Sequence, residues 1–282
     1  MMINKVKKGS KIDKVSIIPK LVLTISIIFF GAPLYLTIIN VFKTTDAISK
    51  NPLSFPINPT LENLKYVITS PNLKISSMYY NSLVITVFGT SLCILVSAMA
   101  GYYTSRTKNG MARFLYVFFI LGLMVPYAIV YMPLVTIFKN FGLMGNFPAL
   151  VLVFVSGSIS FSVFMYHGFI GAIPIELEES AAIDGAGSFR IFWQIIFPLL
   201  KPCTATTAIF IGLSMWNDFL TPLLIGQKQT ITVGIYTAIG PHAAEWGNVF
   251  AFVFYGTFPI VILYLLAQKQ FVKGLTSGAV KG

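Results

Sequence analysis

Six long apolar runs alternate with shorter polar segments along the 282-residue chain. An α-helix needs about 20 apolar residues to cross roughly 30 Å of hydrocarbon. The runs are too continuous for the strands of a membrane barrel, in which apolar and polar residues alternate. The pattern therefore predicts an all-α integral membrane protein with six transmembrane helices. The predicted spans cover residues 21–42, 79–103, 114–138, 149–173, 202–225 and 246–268.

Prolines and one acid modify these spans. Each proline removes a backbone donor and predicts a kink, as expected of a bundle around a shaped cavity. Asp218 interrupts the fifth run, and an acid at mid-membrane costs about 2.5–3.5 kcal/mol, so it is expected to face a cavity, a partner or the outer water. The first run is too long for the apolar region of a signal peptide and predicts an uncleaved helix. The prolines are Pro33, Pro126, Pro133, Pro222 and Pro259.

Composition supports a membrane protein. Hydrophobic residues make up 56% of the chain and charged residues 10%, whereas a soluble domain carries about 25% charged residues. Cys93 and Cys203 lie in separate apolar runs and are predicted to be small packing residues. His167 and His242 have no Cys, His or carboxylate neighbour at ligand spacing, so the sequence predicts no metal site.

The net charge of +11 would suit a nucleic-acid partner, but the placement of the charges explains it differently. With the N-terminus in the cytoplasm, fourteen of the 20 Lys and Arg residues fall in cytoplasmic segments. Membrane proteins of bacterial type concentrate these residues on that side. Both termini are therefore predicted to be cytoplasmic in a multi-pass protein of the cell membrane, with no nucleic-acid partner. Residues 1–20 form a basic tail, either an amphipathic anchor on the lipid bilayer or a disordered segment.

The segment between the fourth and fifth spans, residues 174–198, is named here the corner segment and predicts two short helices joined by a sharp turn. Pro174 can open the first helix, and acidic residues follow in its first turn, where the helix dipole favours them. Asp184 and Gly185 mark the turn, since Asp can cap the next helix and Gly tolerates positive φ. The second helix carries an apolar stripe, formed by Phe189, Phe192, Trp193 and Ile196. Such a segment either pads its own bundle or inserts into a partner's groove.

The corner segment resembles the EAA loop of binding-protein-dependent ABC importer permeases. Residues 216–224 and 268–282 also resemble the carbohydrate-uptake class, specifically the G-type subunit of maltose permeases. The matching residues of the loop are Glu179, Ala181, Ala182, Asp184, Gly185, Ala186, Phe189, Phe192, Pro198 and Leu199, with Ser180 in place of the commoner Ala.

This resemblance implies a type I, MetI-like permease bundle. The permease core would be residues 79–270, preceded by the first helix and an extracytoplasmic loop in residues 21–78. A cytoplasmic tail, residues 271–282, would contact the ATPase.

The resemblance also implies a mechanism. In the family, the EAA loop docks as a coupling helix into a cytoplasmic ATPase, whose closure on ATP rocks the permease between inward-facing and outward-facing states. This chain has no G-x-x-x-x-G-K-[ST] loop, so ATP and Mg²⁺ are expected on a separate ATPase chain. The chain itself is expected to be a transport subunit that binds no cofactor and is not an enzyme. The implied partners are a homologous F-type permease, two copies of the ATPase and an extracytoplasmic sugar-binding protein.

Three groups of site residues are implied. Trp216, Asn217 and Asp218 are expected to line a substrate path or to contact the partner permease, unless Asp218 is merely solvated near the outer water. Coupling to the ATPase is expected of Glu178, Glu179, Ala181, Ala182, Asp184, Gly185, Ala186, Phe189 and Phe192. The tail is expected to reach the ATPase through Phe271, Gly274, Leu275, Gly278 and Val280.

Two other classes of function are weighed against an importer. An ion-driven secondary transporter is usually longer and carries buried ionisable pairs, for which only Asp218 qualifies here. An intramembrane transferase or protease needs clustered His, Asp, Glu or Ser residues at one membrane depth, and the sequence has no such cluster.

Overall fold

The computed structural model describes residues 17–70, 74–227, 230–238 and 245–279; the side chains beyond residue 265 lie outside that description. Every regular element in these ranges is helical. The first half contains α1 Ile17–Asn40, α2 Thr45–Lys50, α3 Glu62–Thr69, α4 Ile75–Arg106, α5 Gly110–Met124, α6 Tyr127–Asn140 and α7 Phe147–Gly171. The second half contains α8 Glu176–Ile183, α9 Ser188–Leu199, α10 Lys201–Asn217, a π-helical turn Pro222–Gly226, α11 Ile231–Ala238 and α12 Trp246–Ala279.

The described helices supply as many as six candidate membrane spans. Helices α1, α4, α7 and α12 are each long and apolar enough to cross a bilayer. Two further pairs qualify only together, because α5 and α6 are bent by 101° and α9 and α10 by 74°. The prediction of an all-α membrane bundle is confirmed, with two of its six candidate spans broken.

The third predicted span, residues 114–138, is wrong as a single helix. The chain leaves helical geometry at Val125 and Pro126, whose ψ angles are 115° and 120°. Proline disfavours the helical conformation of the residue before it and donates no backbone hydrogen bond, so the predicted kink is a complete break. By contrast, Pro33, Pro133 and Pro259 lie inside helices that continue past them.

The fifth predicted span, residues 202–225, ends early. Helix α10 stops at Asn217, and Asp218 has an extended backbone with φ −69° and ψ 126°. The carboxylate of Asp218 accepts hydrogen bonds from the backbone N–H of Thr221 at 3.0 Å and from its hydroxyl at 2.8 Å. Asp218 therefore stabilises the turn that follows the helix, and the prediction that it interrupts the span is confirmed.

Helices α4 and α7 form the centre of the bundle. A Cβ at Gly101 of α4 would lie 2.6 Å from the Cβ of Tyr166 on α7, so only glycine allows this approach. Close contact between small residues holds helices together in lipid, where burial from water contributes little. Cys93 and Cys203 are fully buried, which confirms them as packing residues. The buried small residues of α4 recur every four positions, at Gly89, Cys93, Ser97 and Gly101.

A compact cap closes the end of the bundle where α1 ends and α4 begins. The buried Lys43 donates from Nζ to the carbonyl oxygens of Asn51 at 3.1 Å and Pro52 at 3.4 Å. The amide of Asn63 donates to the carbonyl oxygen of Lys43 at 2.7 Å. These bonds tie residues 41–63 together and leave Ile57 92% exposed on the outside of the cap.

Candidate functional site

The corner segment lies at the other end of the bundle and turns as the sequence predicts. The Gly185 N–H donates to the carbonyl of Ala182 at 3.1 Å, and the Ala186 N–H to that of Ala181 at 2.9 Å. Gly185 has φ +84°, which completes a Schellman motif that satisfies the last carbonyls of α8. Asp184 is the C-cap of α8; the prediction that it caps the next helix is wrong, because Gly187 occupies that position.

An ion pair anchors the corner segment to helix α4. Arg106, the last residue of α4, donates from Nε to Oε1 of Glu178 at 2.6 Å and from Nη2 to the carbonyl of Ile173 at 2.8 Å. Tyr102, one turn earlier on α4, donates from its hydroxyl to Oε2 of Glu178 at 2.8 Å. Glu178 is only 8% exposed. The carboxylate of Glu178 therefore binds inside this chain, and its contact with the ATPase stays a prediction.

Tyr102 also holds the second half of the corner segment. Its ring packs on that of Phe192 in α9, with 5.2 Å between ring centroids. Tyr102 and Arg106 lie four residues apart and share one face of α4, so a single helix end holds both α8 and α9. Sequence reasoning did not predict either residue as part of the site, although a tyrosine and an arginine four residues apart stand in the last two turns of α4.

Helix α9 packs its apolar residues against the bundle. Phe192 is 4% exposed and Ile196 is fully buried, in a cluster that includes Tyr166 and Leu200. Residues Phe192–Ile196 are π-helical, and the Phe197 N–H accordingly bonds to the Phe192 carbonyl. The ring of Phe192 is enclosed by its own chain, so it packs against its own bundle, and its contact with the ATPase stays a prediction.

The exposed surface of the corner segment is apolar at its apex. Ile183 is 86% exposed and Phe189 is 74% exposed, on either side of the turn. Ala182, directly before Ile183, and Asp184 and Gly185, directly after it, are also exposed. These five residues are named here the corner tip. The sequence analysis missed Ile183, whose signal is a large apolar side chain at the last position of α8, directly before the turn.

The other expected coupling residues flank the corner tip. Glu179 is exposed beside the inward-facing Glu178. Ala181 and Ala186 are half-buried and line a cavity of about 200 Å³ together with Asp184, Arg190 and other residues of α9. Small side chains at these positions leave room for a partner's side chain beside the turn.

Four of the five C-terminal residues expected to contact the ATPase lie near the end of the last helix. Residues 271, 274, 275 and 278 are within the helical backbone of α12, and their side chains lie outside the description. The four residues within α12 are Phe271, Gly274, Leu275 and Gly278. Val280 lies outside the described residues.

A polar cavity of about 190 Å³ lies where two helix breaks meet. Tyr127, which follows the break at Pro126, and Asp218, which follows the end of α10, both line this cavity. Ser158 of α7 and Ser214 of α10 add hydroxyl groups to its wall. The sequence predicted Asp218 and missed the other three, because the contact depends on how α6, α7 and α10 meet.

The two neighbours of Asp218 do not join it in the cavity. Trp216 is buried, donates from Nε1 to the carbonyl of Gly256 at 3.2 Å and packs beside Tyr79. Trp216 therefore packs between α10 and α12, and its role in a substrate path or a contact with the partner permease stays a prediction. Asn217 is exposed, and its amide donates to the carbonyl of Leu213 at 2.8 Å.

His167 takes no part in the corner tip or in the polar cavity at Asp218. His167 stacks on Tyr116, with 3.7 Å between ring centroids, and His242 lies outside the described residues. Within the described ranges, no group of three His, Cys, Asp or Glu residues is placed to hold a metal ion.

Comparisons with known proteins agree with this architecture. Residues 94–276 match the family described as binding-protein-dependent transport system inner membrane component. The chain is 34% identical to the probable starch degradation products transport system permease protein AmyC of Thermoanaerobacterium thermosulfurigenes, over 89% of this chain and 91% of the relative. It is also 34% identical to the multiple sugar-binding transport system permease protein MsmG of Streptococcus mutans, over 92% of this chain and 95% of that protein.

A solved structure shares the fold. A chain of a bacterial ABC transporter that imports the acidic polysaccharide alginate superposes with a TM-score of 0.79 at 20% identity, over 90% of this chain and 95% of that one. The region that matches the family, residues 94–276, contains the whole corner segment and the end of α4 that anchors it. The chain therefore belongs to the family of binding-protein-dependent transport system inner membrane components, the ABC importer permeases that its corner segment resembles.

Proposed function

We propose that this chain is the permease subunit of an ATP-driven importer of sugars, and of oligosaccharides in particular. The observation that carries the proposal is the corner tip, an exposed apolar apex that is bound firmly to a membrane helix. The relatives transport starch degradation products and multiple sugars according to their names, which supports a carbohydrate substrate. The charge distribution supports an orientation with the corner tip and both termini in the cytoplasm.

The corner tip is proposed to dock into a cleft of the ATPase. Large apolar side chains dominate the energy of protein interfaces when a partner encloses them. Within the corner tip, Ile183 and Phe189 are the large apolar residues whose side chains are exposed. Glu179 and the C-terminal tail would add contacts around this centre. ATP and Mg²⁺ would bind on the ATPase, and this chain would supply no catalytic group.

The contacts of Tyr102 and Arg106 with the corner segment are proposed to transmit movement of the docked tip to the membrane helices. Glu178 in the first turn of α8 and Phe192 in α9 are both held by the last two turns of α4. Helix α4 packs along α7 at the centre of the bundle. A displacement of the corner segment would therefore move α4 with it, because the ion pair and the ring contact join the two segments directly.

The polar cavity at Asp218 is proposed as the contribution of this subunit to the sugar path. Carboxylate, phenol and serine hydroxyl groups are the side chains that hydrogen-bond sugar hydroxyls. With about 190 Å³, the cavity has room for part of an oligosaccharide. A path for a whole oligosaccharide would need further lining residues from another chain, which supports a homologous F-type permease as partner. An extracytoplasmic sugar-binding protein would deliver the substrate, and a second ATPase copy would serve the partner permease.

The experiment is transport in proteoliposomes that contain this chain, the partner permease and a sugar-binding protein, with and without the ATPase. Labelled oligosaccharide uptake is expected only when the ATPase and ATP are both present. Uptake driven by an ion gradient in the absence of the ATPase would support the secondary-transporter alternative and contradict the proposal.

A further inference from the structure

A third cavity, of about 460 Å³, opens beside Arg106 where α4 ends and α5 begins. Lys108 and Arg113 line it. His167 also lines it, and its ring is fixed by its stack on Tyr116 and by a 3.1 Å hydrogen bond between Nδ1 and the hydroxyl of Thr104. The cavity therefore combines a fixed aromatic surface with two long cationic side chains.

The two cations have no counterion within the described part of the chain. Lys108 and Arg113 are exposed, and neither side chain makes an ion pair or hydrogen bond with a described residue. The nearby Arg106 is already bound to Glu178. No acidic residue lines the cavity. Two uncompensated cations at one opening favour an anion with several oxygen acceptors, such as a phosphate group, and Arg in particular binds phosphate oxygens well.

The surface that continues from this cavity is apolar. Along the outer face of α5, exposed apolar side chains follow one another at helical spacing. Two of them, Phe114 and Phe118, stack on each other with 6.4 Å between ring centroids. A soluble anion has no apolar part that would pack on this stripe, whereas the acyl chains of a lipid would. The stripe consists of Met111, Phe114, Phe118 and Leu121.

We propose that Lys108 and Arg113 bind the phosphate of an anionic phospholipid whose acyl chains lie along this stripe of α5. The charge of the site and the apolar track below it fit one amphiphilic molecule, with the headgroup at the membrane face that carries the corner segment. Basic pockets between helix ends at the cytoplasmic face suit anionic headgroups in general.

The test is native mass spectrometry of the assembled transporter, titrated with phosphatidylglycerol and, separately, with phosphatidylcholine. We expect tighter binding of phosphatidylglycerol, and a loss of about fivefold for each cation removed in Lys108→Gln and Arg113→Gln, equivalent to about 1 kcal/mol per cation. Lys201→Gln is the matched control, an exposed cation at the start of α10 outside the cavity. An equal loss in Lys201→Gln would overturn the proposal, because it would indicate a general surface charge effect.

A second pair of measurements separates a lipid from a soluble phosphate compound. Phe114→Ser combined with Phe118→Ser is expected to weaken phosphatidylglycerol binding several-fold, and glycerol phosphate is expected not to displace the lipid. Displacement by glycerol phosphate together with unchanged lipid binding by the serine variant would overturn the lipid assignment. Absence of any preference for phosphatidylglycerol over phosphatidylcholine would overturn the site as a whole.

Discussion

The guanidinium of Arg106 and the carboxylate of Glu178 lie 2.6 Å apart, although 71 residues separate them in sequence. One belongs to the end of a membrane helix and the other to the first turn of the corner segment. Both side chains are largely shielded from water, at 14% and 10% exposure. Such a pair is costly to break on one side, because the remaining charge stays buried without a partner.

A double-mutant cycle tests this pair. Arg106→Gln and Glu178→Gln are each expected to lower the thermal stability of the complex and its transport rate, whereas the double variant should recover part of the loss. We expect an interaction energy of about 0.5–3 kcal/mol. Lys201→Gln is the matched control, since Lys201 is an exposed cation at the start of α10. Strictly additive losses would show that the two residues do not act as a unit.

Two glycines of the corner segment offer a matched comparison. Gly185 has φ +84° and Gly187 has φ −72°, and a Cβ at either position would meet nothing within 4 Å. Gly185→Ala is expected to cost about 1–2 kcal/mol in left-handed backbone strain and to weaken ATPase association. Gly187→Ala is expected to leave ATPase association close to that of the unmodified permease. The measurement is ATPase retained on the immobilised permease, and equal retention by both variants would contradict the role of the turn.

The exposed and buried aromatic residues of α9 should respond differently to loss of the ring. Phe189→Ser is expected to reduce ATPase affinity at least tenfold with little change in the stability of the permease, because its ring is exposed before docking. Phe192→Ser is expected to destabilise the permease itself by about 3 kcal/mol or more, because its ring is buried. Binding isotherms and thermal unfolding distinguish the two. Normal affinity in Phe189→Ser would remove that residue from the docking surface.

The polar cavity makes a prediction about sugar affinity. Asp218→Asn and Ser214→Ala are expected to raise the KM for sugar uptake, by roughly tenfold for Asp218→Asn, since a hydrogen bond to a charged group contributes about 1.5–3 kcal/mol. Trp216→Phe is the control, because its ring packs between helices and lies outside the cavity. It is expected to affect stability and to leave KM unchanged. A KM effect confined to Trp216→Phe would reverse the assignment.

The orientation is testable by labelling. Cys93 and Cys203 are fully buried, so a single added cysteine can be labelled with the native thiols in place. Ile183→Cys is expected to react with a membrane-impermeant maleimide only from the cytoplasm, and Ile57→Cys only from outside. Labelling of both residues from the same side would contradict the predicted arrangement of the spans.

Sequence reasoning located the apolar runs and the turn, and missed helix breaks as well as contacts between distant residues. Apolar run length identified where the six spans lie, but not that the third breaks at Val125 and Pro126 or that the helix of the fifth ends at Asn217. Asp184-Gly185 identified the turn, because turn preference is a local property of the chain. The inward orientation of Glu178 was not predictable in this way, since its partner Arg106 ends a different helix. Likewise, the burial of Phe192 depends on the packing of α9 against α4 and α7, which a stripe at helical spacing cannot reveal.

The most direct test of the account is a photo-crosslinking amino acid placed at residue 183 in the assembled transporter. The corner tip is proposed to sit in the ATPase cleft, so replacement of Ile183 by the photo-crosslinker should give an adduct with the ATPase. The same group at residue 57, on the opposite end of the bundle, should give none. An ATPase adduct from residue 57, or none from residue 183 in a transporter that hydrolyses ATP and imports sugar, would contradict coupling through the corner tip.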